Sequence, residues 1–305
     1  MLQAETLFPL PQVVPWNGYK AATSLTFDGG KRDYLDKVIP ELNRRQWRGT
    51  FFLIANQTDR KDEWRQAIKA GHEIGNQTLD CFHPEALSPR DENGQVIGAQ
   101  NVLQKEFGVS LYSFAYPYGE VSPGLKGWVA KTSFLARGQT DGLVSSEDTA
   151  VDWFNLPSKT LSNRNDFETD KGWIDDANGK GNWLIWDIQG MDDTPSGLDS
   201  ISLQTLERIL DYLQTKDIWV GTFLEVGSYL RAWRAFESAE IRVNGSETVY
   251  HWVVPDHCPM NVILKIRFPQ GSPSVRVRQK GEPVAPDTRG NYAILFNKGQ
   301  LSLWR

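Results

Sequence analysis

The chain has 305 residues, 38 acidic and 33 basic side chains and a net charge of −5, with no dense basic run, so nucleic acid is not an expected partner. This length accommodates one large α/β domain and a smaller second domain. Two cysteines exclude a disulfide framework, and no apolar run approaches the roughly 20 residues that cross a bilayer, so we expect no membrane span.

In chain order, the N-terminal part alternates short strands with helices. Residues 24–27 form a short β-run, apolar residues recur with helical spacing over 35–42, and residues 50–54 form a buried strand. This is a β-α-β unit. Further helices between strands are predicted at residues 64–70, 99–107, 127–132 and 203–213. The alternation indicates α/β architecture with a mostly parallel, barrel-like sheet.

The rest of the chain has a different pattern. Residues 139–181 are rich in small polar residues and predict a long loop near the rim of the barrel. After a helix that ends near residue 236, the apolar period changes to two, with turn residues such as Asn244-Gly245 between the runs. We therefore predict a barrel domain at residues 1–236 and a small all-β, sandwich-like domain at residues 237–305.

Polar residues follow two of the predicted strands at the point where each strand ends. Residues 26–30 read Thr-Phe-Asp-Gly-Gly, and residues 71–78 read Gly-His-Glu-Ile-Gly-Asn-Gln-Thr. The carboxyl ends of parallel strands meet at one edge, where α/β proteins build their sites. Asp28 could instead cap a helix or a turn, but the two glycines after it favour a close approach to a ligand.

These segments, together with residues 114–119 (Phe-Ala-Tyr-Pro-Tyr-Gly), resemble the first three motifs of the polysaccharide deacetylase family. Residues 183–191 resemble its late motif, and the resemblance covers roughly residues 10 to 235. It implies a distorted (β/α) barrel and a hydrolase that removes acetyl groups from an amino-sugar polymer such as peptidoglycan or a chitin-like glycan. It also implies a divalent metal cofactor, usually zinc.

The motifs that carry the family's chemistry are altered. Asp28 corresponds to the general base, but Gly29 replaces an aspartate ligand of the metal. Gln77 and Cys81 stand where two histidine ligands are expected, and Gln189 replaces the histidine that acts as general acid. A glutamine amide is a poor zinc ligand and cannot give a proton to a leaving amine.

A replacement metal site is one reading of the second motif. Asp80, Cys81 and His83 place three ligand types within four residues. The alternative reading makes Cys81 a buried small hydrophobic residue and lets His83 begin a surface turn.

Other residues are assigned to the substrate by the resemblance. The third motif lines the family's substrate groove, which makes Tyr116, Pro117 and Tyr118 candidates, although the two tyrosines could simply pack a strand end. Trp186 and Gln189 are the candidates from the late motif.

Arg137 is expected to orient Asp28 and to keep its carboxylate ionised, because Ala115 replaces the arginine that is usual in the third motif. The resemblance gives His72 a structural role.

Two functions remain open at this point. The first is a deacetylase that acts on an N-acetylated glycan with Asp28 as base and an atypical or missing metal site. The second is a catalytically inactive glycan-binding relative, which the three altered motifs favour. The N-terminal residues lack a signal-peptide pattern, so the chain is either cytoplasmic or the mature form of a secreted or periplasmic protein. The resemblance favours the latter.

Overall fold

The computed structural model describes residues 9–191, 200–272 and 274–304. Within these residues the strands are β1 (Gln12–Val13), β2 (Ala21–Asp28), β3 (Thr50–Leu53), β4 (Glu73–Asn76), β5 (Ser113–Ala115), β6 (Leu135–Asp141), β7 (Leu156–Thr160), β8 (Trp183–Ile188), β9 (Ile218–Val220), β10 (Glu240–Asn244), β11 (Glu247–His251), β12 (Ile263–Arg267), β13 (Arg276–Gln279), β14 (Glu282–Val284), β15 (Asn291–Leu295) and β16 (Gln300–Trp304).

The α-helices of the same residues are α1 (Ile39–Arg44), α2 (Lys61–Lys69), α3 (Pro89–Asn93), α4 (Ala99–Phe107), α5 (Pro123–Ala130), α6 (Phe167–Lys180), α7 (Leu203–Gln214) and α8 (Phe223–Glu237). π-Helical segments, Tyr34–Val38 and Gly94–Gly98, lead directly into α1 and α4. Short 3-10 turns lie at Pro15–Gly18, Pro84–Ala86, Pro117–Gly119 and Phe296–Lys298.

Residues 19–226 form one compact unit built on a parallel barrel. Of the described strands, β2 to β8 close into a ring of seven, because β2 pairs with β3 on one side and with β8 on the other. Strand β9 adds to the start of β2. The predicted distorted (β/α) barrel is therefore confirmed.

Burial explains why these segments form barrel strands and outer helices. Every residue of β2 and β8 is buried, as expected for parallel strands that are covered on both faces. Helix α7 turns Leu206, Ile209, Leu210 and Leu213 toward the core, and its N-cap Ser202 accepts a hydrogen bond from Thr205 N.

The prediction of a long loop over residues 139–181 was wrong. This region contains the end of β6, all of β7 and the whole of α6. Helix α6 buries only a narrow stripe that includes Ile174 and Ala177, so its polar composition hid the helical period. Its ends carry ordinary signals, an Asp166 N-cap and Gly181 in the left-handed conformation at the C-cap.

The second compact unit combines residues 1–18 with residues 227–305. Its described part contains two antiparallel sheets, in the strand orders β1-β12-β15 and β10-β11-β16-β13-β14. This agrees with the predicted all-β region, but β1 is an N-terminal strand that pairs with β12. The division falls within α8, whereas the domain boundary at residue 236 stays a prediction.

Two further features bear on the sequence expectations. Among the described residues, no helix is both long and apolar enough to cross a membrane. Cys81 and Cys258 form no disulfide.

Candidate functional site

Polar side chains gather at the carboxyl edge of the barrel. Asp28 is the last residue of β2, Gln77 follows β4 directly, and Gln189 follows β8 directly. Because all three strands are parallel, their carboxyl ends face the same pocket, which has a volume of about 200 Å³. The pocket is lined by Asp28, Gly29, Lys31, Ile54, Gln77, Cys81, Tyr118 and Gln189.

Two buried carboxylates share one guanidinium behind this pocket. Arg137 Nη2 donates a hydrogen bond of 2.5 Å to Asp28 Oδ1, and Arg137 Nη1 lies 3.1 Å from Asp187 Oδ1. The side chains of Arg137 and Asp187 are 1% and 0% exposed. The structure thus brings Arg137 to Asp28 and adds Asp187 as a third member.

The environment of Asp28 raises the pKa of its carboxyl group to about 6. Burial is the largest cause, and the negative charge of Asp187 adds to it. The charge and hydrogen bond of Arg137, together with a hydrogen bond from Gln77, lower the pKa and limit the rise. The carboxyl group of Asp28 therefore has a pKa closer to neutral pH than an ordinary aspartate has.

Sequence reasoning missed Asp187. Its Oδ2 accepts hydrogen bonds from Gln139 Nε2 at 2.6 Å and from Gln189 Nε2 at 3.3 Å. An acid inside the otherwise apolar run Trp183–Ile188 was a usable signal, because a buried charge requires a partner.

Two of the three positions at which the resemblance places metal ligands, Gly29 and Gln77, are joined by a hydrogen bond. Gln77 Oε1 accepts a hydrogen bond of 2.8 Å from Gly29 N. The same N–H also points to Phe52 O at 2.9 Å. Gly29 has φ = +90°, a conformation that glycine adopts without strain. The amide oxygen of Gln77 is thus committed to the backbone of the turn.

Lys31 is a second residue that sequence reasoning missed. Its side chain lines the pocket, and its Nζ donates a hydrogen bond to the main-chain oxygen of Gln189. Partial burial lowers the pKa of the ammonium group, while the charge of Asp28 opposes that shift. The ammonium group of Lys31 therefore lies at the carboxyl edge of the barrel.

The structure does not bring Asp80, Cys81 and His83 together as a metal site. The Asp80 carboxylate accepts hydrogen bonds from Asn56 Nδ2 at 2.7 Å and from Gln95 Nε2 at 2.8 Å. Cys81 lines the pocket, and burial raises the pKa of its thiol to about 11, which disfavours the thiolate that zinc binds.

His83 is directed elsewhere. Its ring stacks on Tyr118 with centroids 3.8 Å apart, and its Nδ1 lies 3.0 Å from Glu120 Oε2. Among the described residues, no group of three histidine, cysteine or acidic side chains is placed to hold a metal ion. With Gly29 and Gln77 at the usual ligand positions, the donor set does not fit the family's zinc.

The residues assigned to the substrate groove separate into two groups. Tyr118 is 52% exposed and lines the pocket together with Gln189. Tyr116 is 1% exposed and donates a hydrogen bond to Phe154 O, and Pro117 is also buried.

Trp186 is fully buried in the main hydrophobic cluster. Neighbouring strand residues point to opposite faces, so Trp186 points away from the site that Asp187 faces. Tyr118 and Gln189 therefore lie at the pocket, whereas Tyr116, Pro117 and Trp186 are buried, and their contact with a substrate stays a prediction.

Comparison with known proteins gives the same family. Residues 17–134 match the polysaccharide deacetylase family model. A peptidoglycan-N-acetylglucosamine deacetylase of Bacillus cereus is 25% identical over 204 residues. That alignment covers 66% of this chain and 66% of the relative, so the chain spans slightly less than two thirds of that protein.

Solved structures share the fold at lower identity. Peptidoglycan deacetylase PdaC from Bacillus subtilis superposes with a TM-score of 0.51 and 20% identity, over 72% of this chain and 95% of that one. A mutant of a family 4 carbohydrate esterase pseudoenzyme, with restored enzymatic activity, gives a TM-score of 0.50 and 16% identity, over 69% and 68% of the two chains. The motifs, the closed barrel and these matches together relate the chain to the polysaccharide deacetylase family, whose model matches residues 17–134.

Proposed function

We propose that this protein binds an N-acetylated amino-sugar polymer and does not carry out the metal-dependent hydrolysis of its family. Peptidoglycan is the first candidate polymer, because the curated relative is a peptidoglycan-N-acetylglucosamine deacetylase. A chitin-like glycan is the second candidate, because it offers the same acetamido groups. Both polymers place the protein outside the cytoplasm, in a secreted or periplasmic location.

The observation that carries this proposal is the hydrogen bond between Gln77 Oε1 and Gly29 N. A bound metal makes water nucleophilic by lowering its pKa to about 7. Here, Gly29 has no side chain, the amide oxygen of Gln77 is bonded to the backbone, and Cys81 at the third ligand position has a thiol pKa raised to about 11. Tyr118 still offers an exposed aromatic ring beside the pocket, which suits packing against a sugar.

A deacetylase that relies on Asp28 is the second candidate. The observation that favours it is the pKa of Asp28, which burial raises to about 6, close to the value that suits a general base at neutral pH. The step that lacks an obvious residue is proton donation to the leaving amine, because the Gln189 amide has no acidic proton to give. Its Nε2 is also engaged with Asp187.

The test measures binding and hydrolysis in parallel. Binding of N-acetylglucosamine oligomers and of soluble peptidoglycan fragments is measured by calorimetry for the wild type, Tyr118→Ala and Asp28→Asn. Acetate release from the same ligands is followed with added zinc and with chelator. We expect binding without acetate release, and weaker binding by Tyr118→Ala.

Two results contradict the proposal. Acetate release by the wild type that disappears in Asp28→Asn would establish the hydrolase instead. Absence of both binding and release for every ligand would exclude a glycan function of this pocket. Oligomers of unacetylated glucosamine serve as the control for recognition of the acetamido group.

A further inference from the structure

The side chain of Lys31 lies beside the place that a Cβ atom at position 29 would occupy. Residues 29 and 30 are both glycines with positive φ, +90° and +61°, so the chain turns back on itself directly after Asp28. A Cβ atom built at position 29 would lie 3.4 Å from Lys31 Cε and 3.7 Å from Lys31 Cγ. Lys31 is therefore in van der Waals range of the position that an aspartate ligand would start from.

Lys31 adds a second cation to the charged side chains at this edge of the barrel. Asp28 and Asp187 carry two negative charges at the edge of the barrel, and Arg137 between them supplies one positive charge. The ammonium group of Lys31 supplies the second, and Asp28 is the leading charge that favours its protonated form. A divalent ion would bring two further positive charges without a new anionic ligand. Repulsion from Lys31 and Arg137 would therefore oppose such an ion.

Lys31 also retains hydrogen-bonding capacity toward a ligand. An ammonium group has three N–H donors, and one of them is used by the main-chain oxygen of Gln189. The remaining donors belong to a pocket whose other walls include Ile54, Cys81 and the ring of Tyr118. A polar donor beside apolar walls matches an acetamido group, whose carbonyl oxygen accepts a hydrogen bond and whose methyl group is apolar.

We propose that Lys31 is the resident cation of this pocket, takes the place that the family gives to a metal ion, and donates a hydrogen bond to the acetamido carbonyl of the glycan. This inference rests on the proposed glycan-binding function. It assigns recognition of the acetyl group to a residue outside the family motifs. The same positive charge disfavours an unacetylated amino sugar, because that sugar carries its own ammonium group.

The experiment compares Lys31→Met with Lys69→Met, an exposed lysine at the end of α2. Calorimetry gives the dissociation constants of each variant for N-acetylglucosamine oligomers and for glucosamine oligomers of the same length. We expect Lys31→Met to bind the acetylated oligomer at least tenfold more weakly and the glucosamine oligomer no more weakly than the wild type. Lys69→Met should match the wild type for both ligands.

These opposite effects separate recognition from a structural role, because a damaged fold weakens binding of both ligands. If Lys31→Met is unstable, Lys31→Gln retains an N–H donor without the charge. It should lose the discrimination against the glucosamine oligomer while keeping part of the affinity for the acetylated one.

Equal affinity of wild type and Lys31→Met for the acetylated oligomer overturns the inference but leaves the proposed function standing. Parallel loss of both ligands by folded Lys31→Met or Lys31→Gln also overturns it. Absence of glycan binding by the wild type removes the proposed function itself.

Discussion

Gln77 and Gly29, two of the three positions at which the resemblance places metal ligands, are joined by a 2.8 Å hydrogen bond from Gly29 N to Gln77 Oε1. The amide is neutral, fits the positive φ of the glycine turn and contributes a hydrogen bond to Asp28. A network of hydrogen bonds therefore stands where the resemblance places ligands of zinc. The edge of the barrel is held by Gln77, Arg137 and Asp187 around Asp28.

The first prediction is that zinc does not stabilise the wild-type protein. A metal that binds only the folded state at 100 times its Kd stabilises it by about 2.7 kcal/mol. We expect the thermal midpoint to be the same with zinc and with chelator, because the donor set is absent. Gln77→His/Cys81→His leaves Gly29 in its turn and is the comparison variant. A zinc-dependent rise in the thermal midpoint of the wild type would contradict the absence of a zinc site.

The second prediction concerns Gln77 and the pKa of Asp28. Gln77→Ala removes a hydrogen bond that lowers this pKa, so the pKa should rise above about 6. Gln77→Glu should raise it further, because a second carboxylate then faces Asp28. Carboxyl carbon chemical shifts, recorded across a pH titration, give all three values. A lower pKa in Gln77→Glu than in the wild type would refute this electrostatic description.

The meeting of Asp28 with Gln77 and Gln189 could be predicted from the sequence, because parallel topology brings strand ends to one edge. The contribution of Lys31 could not. The position of the Lys31 side chain depends on the turn at Gly29 and Gly30, where both φ values are positive. Residue spacing alone does not predict the direction of a side chain after such a turn. The opposite orientations of Trp186 and Asp187 follow from the alternation of a strand, which the resemblance to the late motif does not convey.

The third prediction is that Arg137 is required for stability. Arg137→Met leaves Asp28 and Asp187 buried without a counter-charge between them, and breaking such a network typically costs about 3–5 kcal/mol. Urea unfolding measures the loss. Adding Asp28→Asn to this variant should restore part of the stability, since one carboxylate is then neutral. If Arg137→Met alone is as stable as the wild type, the carboxylates of Asp28 and Asp187 need no cation between them.

The fourth prediction concerns His72, whose pKa is lowered to about 4, chiefly by burial. Its Nδ1 accepts a hydrogen bond from Gly49 N at 3.1 Å, which requires an unprotonated nitrogen. Because the folded pKa lies below the ordinary value of 6.5, stability should decline as the pH falls from about 6.5 toward 4. Imidazole nitrogen shifts should show His72 neutral at pH 5. A protonated ring at that pH would contradict the structural assignment.

The fifth prediction is that Glu73 makes the fold less stable as the pH rises. Glu73 Oε2 accepts hydrogen bonds from Thr50 Oγ1 at 2.7 Å and from Leu224 N at 2.9 Å, and burial raises its pKa to about 7 from 4.5. The folded state therefore retains a proton that the unfolded chain releases, and stability falls as the pH rises from about 4.5 to 7. The loss is about 3 kcal/mol at 1.36 kcal/mol per pKa unit.

Glu73→Gln should remove this part of the pH dependence, because its amide oxygen can accept the same two hydrogen bonds without ionising. The measurement is the free energy of unfolding in urea at several pH values between 4 and 8, for Glu73→Gln and the wild type. The difference between the two free energies of unfolding at each pH gives the contribution of Glu73. Other acids with raised pKa values, including Asp28 and Asp170, contribute equally to both proteins and cancel. Glu85→Gln, at an exposed position, is the control. If the wild type and Glu73→Gln lose stability in parallel as the pH rises, Glu73 does not retain a proton in the folded state.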